Sequence, residues 1–100
     1  YIEDLVRGIS YCCQNENSKN ETFNITYGNA RKINDLIKII SEEFKDIKVN
    51  YKEKEKFMPE RGTLNTEKAN KLIGFKANHS IENGYREYIS WYKNFWKKIN

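Results

Sequence analysis

A chain of 100 residues with a formal net charge of +4 is long enough for one small domain, and its 38% of hydrophobic residues is typical of a globular protein rather than a disordered one. No apolar run approaches the roughly 20 residues of a membrane span, so we expect no membrane partner. Where lysines are densest, at residues 52–56, they alternate with glutamates, which argues against nucleic acid as a partner.

Two helices and a strand are predicted in the first half of the chain. Apolar residues recur at helical spacing from Ile2 to Gln14, and Asp4 in the first turn favours the positive end of the helix dipole. Residues 22–27 are rich in β-formers and predict a short strand that Gly28 ends. Apolar side chains at positions 33, 36, 37, 40 and 44 then predict an amphipathic helix.

Another strand and two helices are predicted in the second half. Apolar and polar residues alternate over residues 47–51, which indicates a half-buried strand, and an ordered loop with the single proline, Pro59, follows. A short helix should run from about Asn65 to Ile73 and end at Gly74. Ser80 can cap a last helix rich in aromatic residues. The predicted class is therefore α/β, with about four helices and two short strands.

Complete active-site signatures are missing from the sequence. The single histidine, His79, has no nucleophile or metal-ligand pattern beside it, so a surface residue is the favoured interpretation. The five glycines are scattered, and no tyrosine is followed by a lysine four residues later. We therefore predict no catalytic residue, no cofactor-binding residue and no metal ligand in this chain. The only cysteines, Cys12 and Cys13, are adjacent in the sequence. Adjacent cysteines rarely form a disulfide with each other, which favours reduced thiols and a cytoplasmic location.

Six short segments, taken in order along the chain, carry a family resemblance. They are Tyr-Ile-Glu-Asp-Leu at 1–5, Phe-Asn-Ile-Thr-Tyr-Gly at 23–28, Ile-Asn-Asp-Leu at 33–36, Leu-Asn-Thr-Glu-Lys-Ala at 64–69, Leu-Ile-Gly-Phe-Lys at 72–76, and Ser-Ile-Glu-Asn-Gly at 80–84 with Trp-Tyr at 91–92. Together they resemble the C-terminal half of the extended short-chain dehydrogenase/reductase family, which includes UDP-glucose 4-epimerase and dTDP-glucose 4,6-dehydratase. No single segment is specific, but their order and spacing extend over nearly the whole chain.

The resemblance implies that residues 1–100 form the C-terminal substrate-binding lobe of an NAD-dependent nucleotide-sugar epimerase or dehydratase. In such enzymes a Rossmann-fold half, missing here, holds NAD and a Tyr-x-x-x-Lys pair, and the cofactor takes a hydride from the sugar and returns it. The lobe binds the nucleotide-diphosphate sugar. The chain begins inside its first motif, so we expect a fragment that is inactive alone. The parent is expected to be a homodimer that makes activated sugars for cell-surface polysaccharide.

Arg61 is the main candidate for contact with the substrate. The family's Arg-Pro-Gly-Asp is absent at residues 55–58, which are Glu-Lys-Phe-Met, but Arg61 falls where relatives often have a second arginine. A guanidinium suits this task because it can bond two phosphate oxygens at once. The alternative is a surface arginine that pairs with Glu60 or Glu67.

Other candidate positions have weaker support. Lys54 and Lys56 could replace the missing arginine as point charges. Asn24 lies at a strand end that faces the active-site cleft in relatives, although a structural role in the turn is favoured over substrate contact. Tyr1 and Asp4 resemble residues that position the domain junction, and a simple first helical turn is an equal alternative.

A second function class stays open beside the enzyme lobe. The chain could be a stand-alone small binding module that kept the fold and lost catalysis. A Rossmann segment with a Tyr-x-x-x-Lys pair encoded directly upstream would exclude the module, whereas a start codon just before Tyr1 would exclude the enzyme lobe.

NAD should not bind to the 100-residue chain, because the sequence lacks the Gly-rich turn whose amides hold a pyrophosphate at a helix N-terminus. Calorimetric titration of NAD into the chain checks this expectation. Micromolar affinity would contradict it.

Overall fold

Four α-helices provide the regular structure of the chain. The computed structural model describes residues 1–99, with the backbone alone at Ile99. Helix α1 spans Ile2–Gln14, α2 spans Ile33–Glu43, α3 spans Glu67–Ile73 and α4 spans Ile81–Ile99. A three-residue 3-10 turn follows α1. The apolar spacing of the sequence therefore predicted the number and the approximate bounds of the helices.

The predicted α/β class is wrong, because neither residues 22–27 nor residues 47–51 form a strand. Residues 1–99 contain no strand, and no backbone hydrogen bond joins these two segments. A strand exists only when a neighbour completes the ladder of N–H and C=O groups. Phe23 and Ile25 of the first segment pack against the helical core, while residues 47–51 stay exposed. The β-forming side chains of residues 22–27 pack on helices instead of joining a sheet, and the alternation at residues 47–51 does not correspond to burial.

The buried core is small and centres on the end of α3. Ala69, Ile73 and Phe75 form a buried cluster. Five half-buried or partly buried side chains surround it: Cys12, Phe23, Ile25, Leu72 and Ala77. Gly74 ends α3 in the left-handed region, with φ of 67°, where glycine meets no steric penalty. This reversal brings Phe75 back against its own helix, and the Phe75 amide donates to the Ala69 carbonyl at 3.2 Å.

Helices α2 and α4 pack side by side. Ile39 is the buried residue of α2. At the rim, Arg86 donates to Glu42 at 2.7 Å and Lys93 donates to Glu43 at 2.7 Å. Exposed ion pairs contribute little to stability, so they fix the orientation of the two helices more than they hold them together.

The molecule is flat and leaves much apolar surface exposed. Its radius of gyration is 17.2 Å and its extents are 50 × 42 × 18 Å, whereas a compact domain of this length has a radius of gyration of about 13 Å. Along α1, Ile2, Leu5, Val6 and Ile9 are all exposed. Within residues 1–99, the helices are either too short or too polar to cross a membrane.

Replacing Gly8 by alanine should destabilise the fold. A Cβ atom at Gly8 would lie 2.6 Å from Cγ2 of Ile25 and 3.3 Å from the Phe75 ring. Overpacking of this kind should lower the free energy of unfolding by about 1–2 kcal/mol, even after the gain in helix propensity. The melting temperature should fall by roughly 4–8 °C for each kcal/mol.

Gly62→Ala is the matched control for Gly8→Ala, because nothing lies within 4 Å of a Cβ atom at Gly62. Its melting temperature should stay level or rise slightly. Equal melting temperatures for Gly8→Ala and the native chain would contradict the close packing of α1 on Ile25.

Candidate functional site

The buried carboxylate of Asp4 joins the first turn of α1 to the turn that precedes α4. Asp4 is only 4% exposed. It accepts hydrogen bonds from the backbone amides of Asn78, at 3.1 Å, and His79, at 2.8 Å. Nδ1 of His79 lies 3.2 Å from the same carboxylate, and Arg7 donates to it at 2.8 Å. Arg7 also donates to the Lys76 carbonyl at 2.6 Å, so one carboxylate and one guanidinium organise residues 76–79.

These contacts also set the ionisation of Asp4. Burial disfavours the charged carboxylate, but the hydrogen bonds from the His79 and Asn78 amides, together with the side chain of His79, outweigh it and lower the pKa of Asp4. Asp4 therefore stays ionised in the folded chain. The same cluster contains two further carboxylates near Nε2 of His79, because Glu3 lies at 3.9 Å and Glu87 at 3.7 Å.

A cavity of about 810 Å³ opens beside this junction. Its walls come from the start of α1, residues 25–31, residues 75–81 and the first half of α4. Four tyrosines contribute to the wall: Tyr1, Tyr27, Tyr85 and Tyr88. Arg31 is the arginine of this wall, and its Nε donates to Glu82 at 2.6 Å. That hydrogen bond raises the pKa of Arg31 and lowers the pKa of Glu82. The cavity thus offers aromatic faces, while its guanidinium is already paired.

None of the four residues predicted to contact substrate lines this cavity. Arg61, Lys54 and Lys56 lie in the exposed loop of residues 44–66 between α2 and α3. Lys54 is 3.5 Å from Glu60 in an exposed pair. The side-chain amide of Asn24 donates to the backbone carbonyl of Asn65 at 2.9 Å, which ties the end of the loop to the segment after α1.

The end of this loop is nevertheless attached to the cavity wall. The Ala30 amide donates to the Thr63 hydroxyl at 3.2 Å, and Ala30 lines the cavity. Arg61 precedes Thr63 by two residues, and two residues span at most about 7 Å of chain. The backbone of Arg61 is therefore held near the part of the cavity wall that Ala30 forms.

Arg61 differs from the other arginines in its charge environment. The chain has four arginines, and three of them pair with carboxylates: Arg7 with Asp4, Arg31 with Glu82 and Arg86 with Glu42. Arg61 has no carboxylate partner among residues 1–99. The alternative pairings with Glu60 and Glu67 do not occur, because Glu60 faces Lys54 and Glu67 faces Lys71.

Two parts of the site were missed by the sequence analysis. His79 was interpreted as a surface residue without a partner, yet its side chain is largely buried and contacts Asp4. Arg31 was not a candidate at all. The contacts of these residues span 75 and 51 positions of the chain, so no local pattern in the sequence could have revealed them.

Within residues 1–99, no group of three or more histidine, cysteine, aspartate or glutamate side chains is arranged to hold a metal ion. Comparison with known proteins finds no matching family model, no matching curated protein and no matching solved structure.

Asp4→Asn should destabilise the fold and make its stability less dependent on pH in the acid range. Because the folded pKa of Asp4 is lowered, its stabilisation is present above the unfolded pKa, near 3.8, and is lost as pH falls through the folded pKa. Replacing the charged acceptor should cost about 2–3 kcal/mol at neutral pH. Native chain and variant should then converge in stability below pH ~4.

Urea denaturation followed by circular dichroism at a series of pH values measures this difference. Asp46→Asn is the control, because Asp46 is an exposed aspartate outside the junction. A constant gap between the native chain and Asp4→Asn down to the most acidic pH would contradict the proposed ionisation of Asp4.

Proposed function

We propose that this chain binds the nucleotide diphosphate of a sugar donor, as the substrate lobe of an NAD-dependent epimerase or dehydratase of the extended short-chain dehydrogenase/reductase family. The observation that carries the proposal is Arg61, whose guanidinium has no carboxylate partner among residues 1–99 and whose backbone is held near the cavity wall by the bond between Thr63 and Ala30. The order of the six sequence segments supplies the family, and NAD with the Tyr-x-x-x-Lys pair belongs to the other half of such an enzyme.

Arg61 has the properties that a diphosphate contact requires. Its charge is not neutralised within residues 1–99, and its guanidinium can donate two parallel hydrogen bonds to phosphate oxygens. Arg7, Arg31 and Arg86 would each have to give up a carboxylate before they could do the same. Binding through Arg61 therefore requires the least rearrangement of existing ion pairs.

Lysines of the same loop would add positive charge around the diphosphate. Lys56 has no carboxylate partner among the described residues, and Lys54 makes only a long exposed pair with Glu60. Such pairs are weak and are screened by salt, so a phosphate can compete with Glu60 for the ammonium. Asn24 has a supporting role in this proposal, since its bond to Asn65 anchors the loop.

The tyrosine-lined cavity suits the less charged parts of the donor. Aromatic side chains bind flat ring systems by stacking, and the paired Arg31 leaves no free guanidinium in the wall. We place the nucleoside or the sugar there and the diphosphate beside Arg61. The exposed apolar face of α1 would pack against the catalytic half of the enzyme.

Arg61→Gln should weaken the binding of uridine diphosphate by about tenfold or more, because a charge-assisted double hydrogen bond is lost. Arg61→Lys should lie between the native chain and Arg61→Gln, since an ammonium keeps the charge and loses the fork. Calorimetric titration at low salt, with uridine diphosphate, uridine and inorganic pyrophosphate as probes, measures these differences.

Lys38→Gln is a charge-matched control on α2, outside the loop, and should change the affinity less than twofold because Lys38 makes only an exposed pair with Asp35. Uridine binding should be the same in Arg61→Gln and the native chain. If Arg61→Gln bound uridine diphosphate as tightly as the native chain, the proposed contact would be excluded.

A further inference from the structure

A second cavity, of about 420 Å³, adjoins the tyrosine-lined cavity. Its volume is in the range of small-molecule sites, roughly 300–1,000 Å³. The two cavities share four wall residues: Thr26, Tyr27, Phe75 and Ala77. The rest of the second wall comes from Thr66, the exposed side of α3 and Lys76. The two cavities are therefore neighbouring compartments that can take two parts of one ligand.

Polar side chains of the second cavity are free to bind a ligand. The hydroxyls of Thr26 and Thr66 and the side-chain amide of Asn70 make no hydrogen bond within residues 1–99. Thr66 precedes the first residue of α3, where a threonine hydroxyl usually accepts from a helix amide. Here the side chain of Asn65 accepts from the Glu67 amide instead, at 2.7 Å. Because hydroxyl and amide groups both donate and accept, this set suits a ligand with several hydroxyl groups.

One positive charge of the second cavity is left without a partner. Glu67 and Lys71 lie 3.6 Å apart and neutralise each other. Lys76 makes no ion pair among residues 1–99. The backbone of Lys76 is held in place, since its carbonyl accepts from Arg7 at 2.6 Å. The cavity therefore suits a ligand that combines hydroxyl groups with one negative charge.

The loop that carries Arg61 reaches both cavities at its end. Thr63 bonds to Ala30 in the wall of the tyrosine-lined cavity, and Thr66, three residues later, lines the second cavity. A ligand whose diphosphate lies beside Arg61 therefore has one cavity for each of the two rings that the diphosphate joins. The aromatic faces suit the flat base, and the free hydroxyls and amide suit the sugar.

We propose that the second cavity binds the sugar ring of the nucleotide-diphosphate sugar, and that this sugar carries a carboxylate, as a uronic acid does. Thr26, Thr66 and Asn70 bind its hydroxyl groups, and Lys76 binds its carboxylate. The nucleoside then occupies the tyrosine-lined cavity. This inference rests on the proposed nucleotide-diphosphate site, because it assigns the part of the same ligand that lies beyond the diphosphate.

Calorimetric titration of the full chain at low salt and neutral pH, with three compounds, tests the proposal: uridine diphosphate, uridine diphosphate glucose and uridine diphosphate glucuronic acid. The glucuronic acid compound should bind about tenfold more tightly than the glucose compound, because only its sugar has a carboxylate for Lys76. Lys76→Gln should remove this preference and leave the affinity for uridine diphosphate within about twofold of the native value. Added salt should reduce the preference.

Asn70→Ala and Asn29→Ala are a matched pair, because each removes the same side chain from the wall of one cavity only. Asn70→Ala should weaken both sugar compounds about fivefold and leave uridine diphosphate unchanged. Asn29→Ala should leave the ratio between the affinities for the sugar compounds and for uridine diphosphate unchanged. Lys38→Gln is the charge control and should keep the preference for glucuronic acid. Circular dichroism of each variant checks that the helix content is retained.

Failure of this inference can be distinguished from failure of the proposed function. If the native chain binds none of the three compounds, the nucleotide-diphosphate site is excluded and the sugar site with it. If uridine diphosphate binds through Arg61 but the two sugar compounds bind equally, a uronic acid is excluded. If Asn29→Ala and not Asn70→Ala weakens the sugar compounds selectively, or if neither does, the sugar lies outside the second cavity.

Discussion

The buried carboxylate of Asp4 is the contact on which the rest of the arrangement depends. An ionised group without water must be compensated on all sides, and here two backbone amides, an imidazole and a guanidinium do so. Because the amides of Asn78 and His79 come from residues 74 and 75 positions away, satisfying one carboxylate also fixes the turn that precedes α4. The cavity lies between these parts and owes its shape to that junction.

Because the hydrophobic core is small, polar contacts largely determine how the helices are placed. Few large side chains are fully buried, and Phe75 is the main one among residues 1–99. Where apolar burial is limited, the relative placement of helices depends on specific hydrogen bonds and ion pairs. The pairs Arg31–Glu82 and Arg86–Glu42 each join α4 to an earlier part of the chain. Arg61 stands apart from this network, which is the reason it is the candidate for binding an anion.

The flat shape of the molecule leaves apolar side chains of two helices exposed to water. The apolar side chains of α1 and the aromatic side chains in the second half of α4 are both exposed, so the chain has two separate apolar surfaces. In the proposed enzyme the apolar face of α1 would meet the catalytic half. Such surfaces cost stability in isolation, because apolar side chains remain in water.

Helices were predictable because their signals are local. The apolar spacing of Ile2–Gln14, the glycine after Ile73 and the cap at Ser80 each involve residues within a few positions, and the structure has all three features. The strands at residues 22–27 and 47–51 were not predictable in the same way, since a strand depends on a distant partner. The β-forming residues of 22–27 could not show that helices, and not a neighbouring strand, cover Phe23 and Ile25.

The sequence by itself determined the helices, the absence of local catalytic motifs and the choice of Arg61, Lys54, Lys56 and Asn24 as candidates. Only the tertiary structure decided that Asn24 anchors a loop, that His79 serves a buried carboxylate, and that Arg61 is left without a partner among residues 1–99. The physical reason is that a buried charge is compensated by groups that are close to it in space, and these groups can be distant in the sequence. Asp4 and His79 are far apart in the sequence, and the cost of a buried charge is what brings them together.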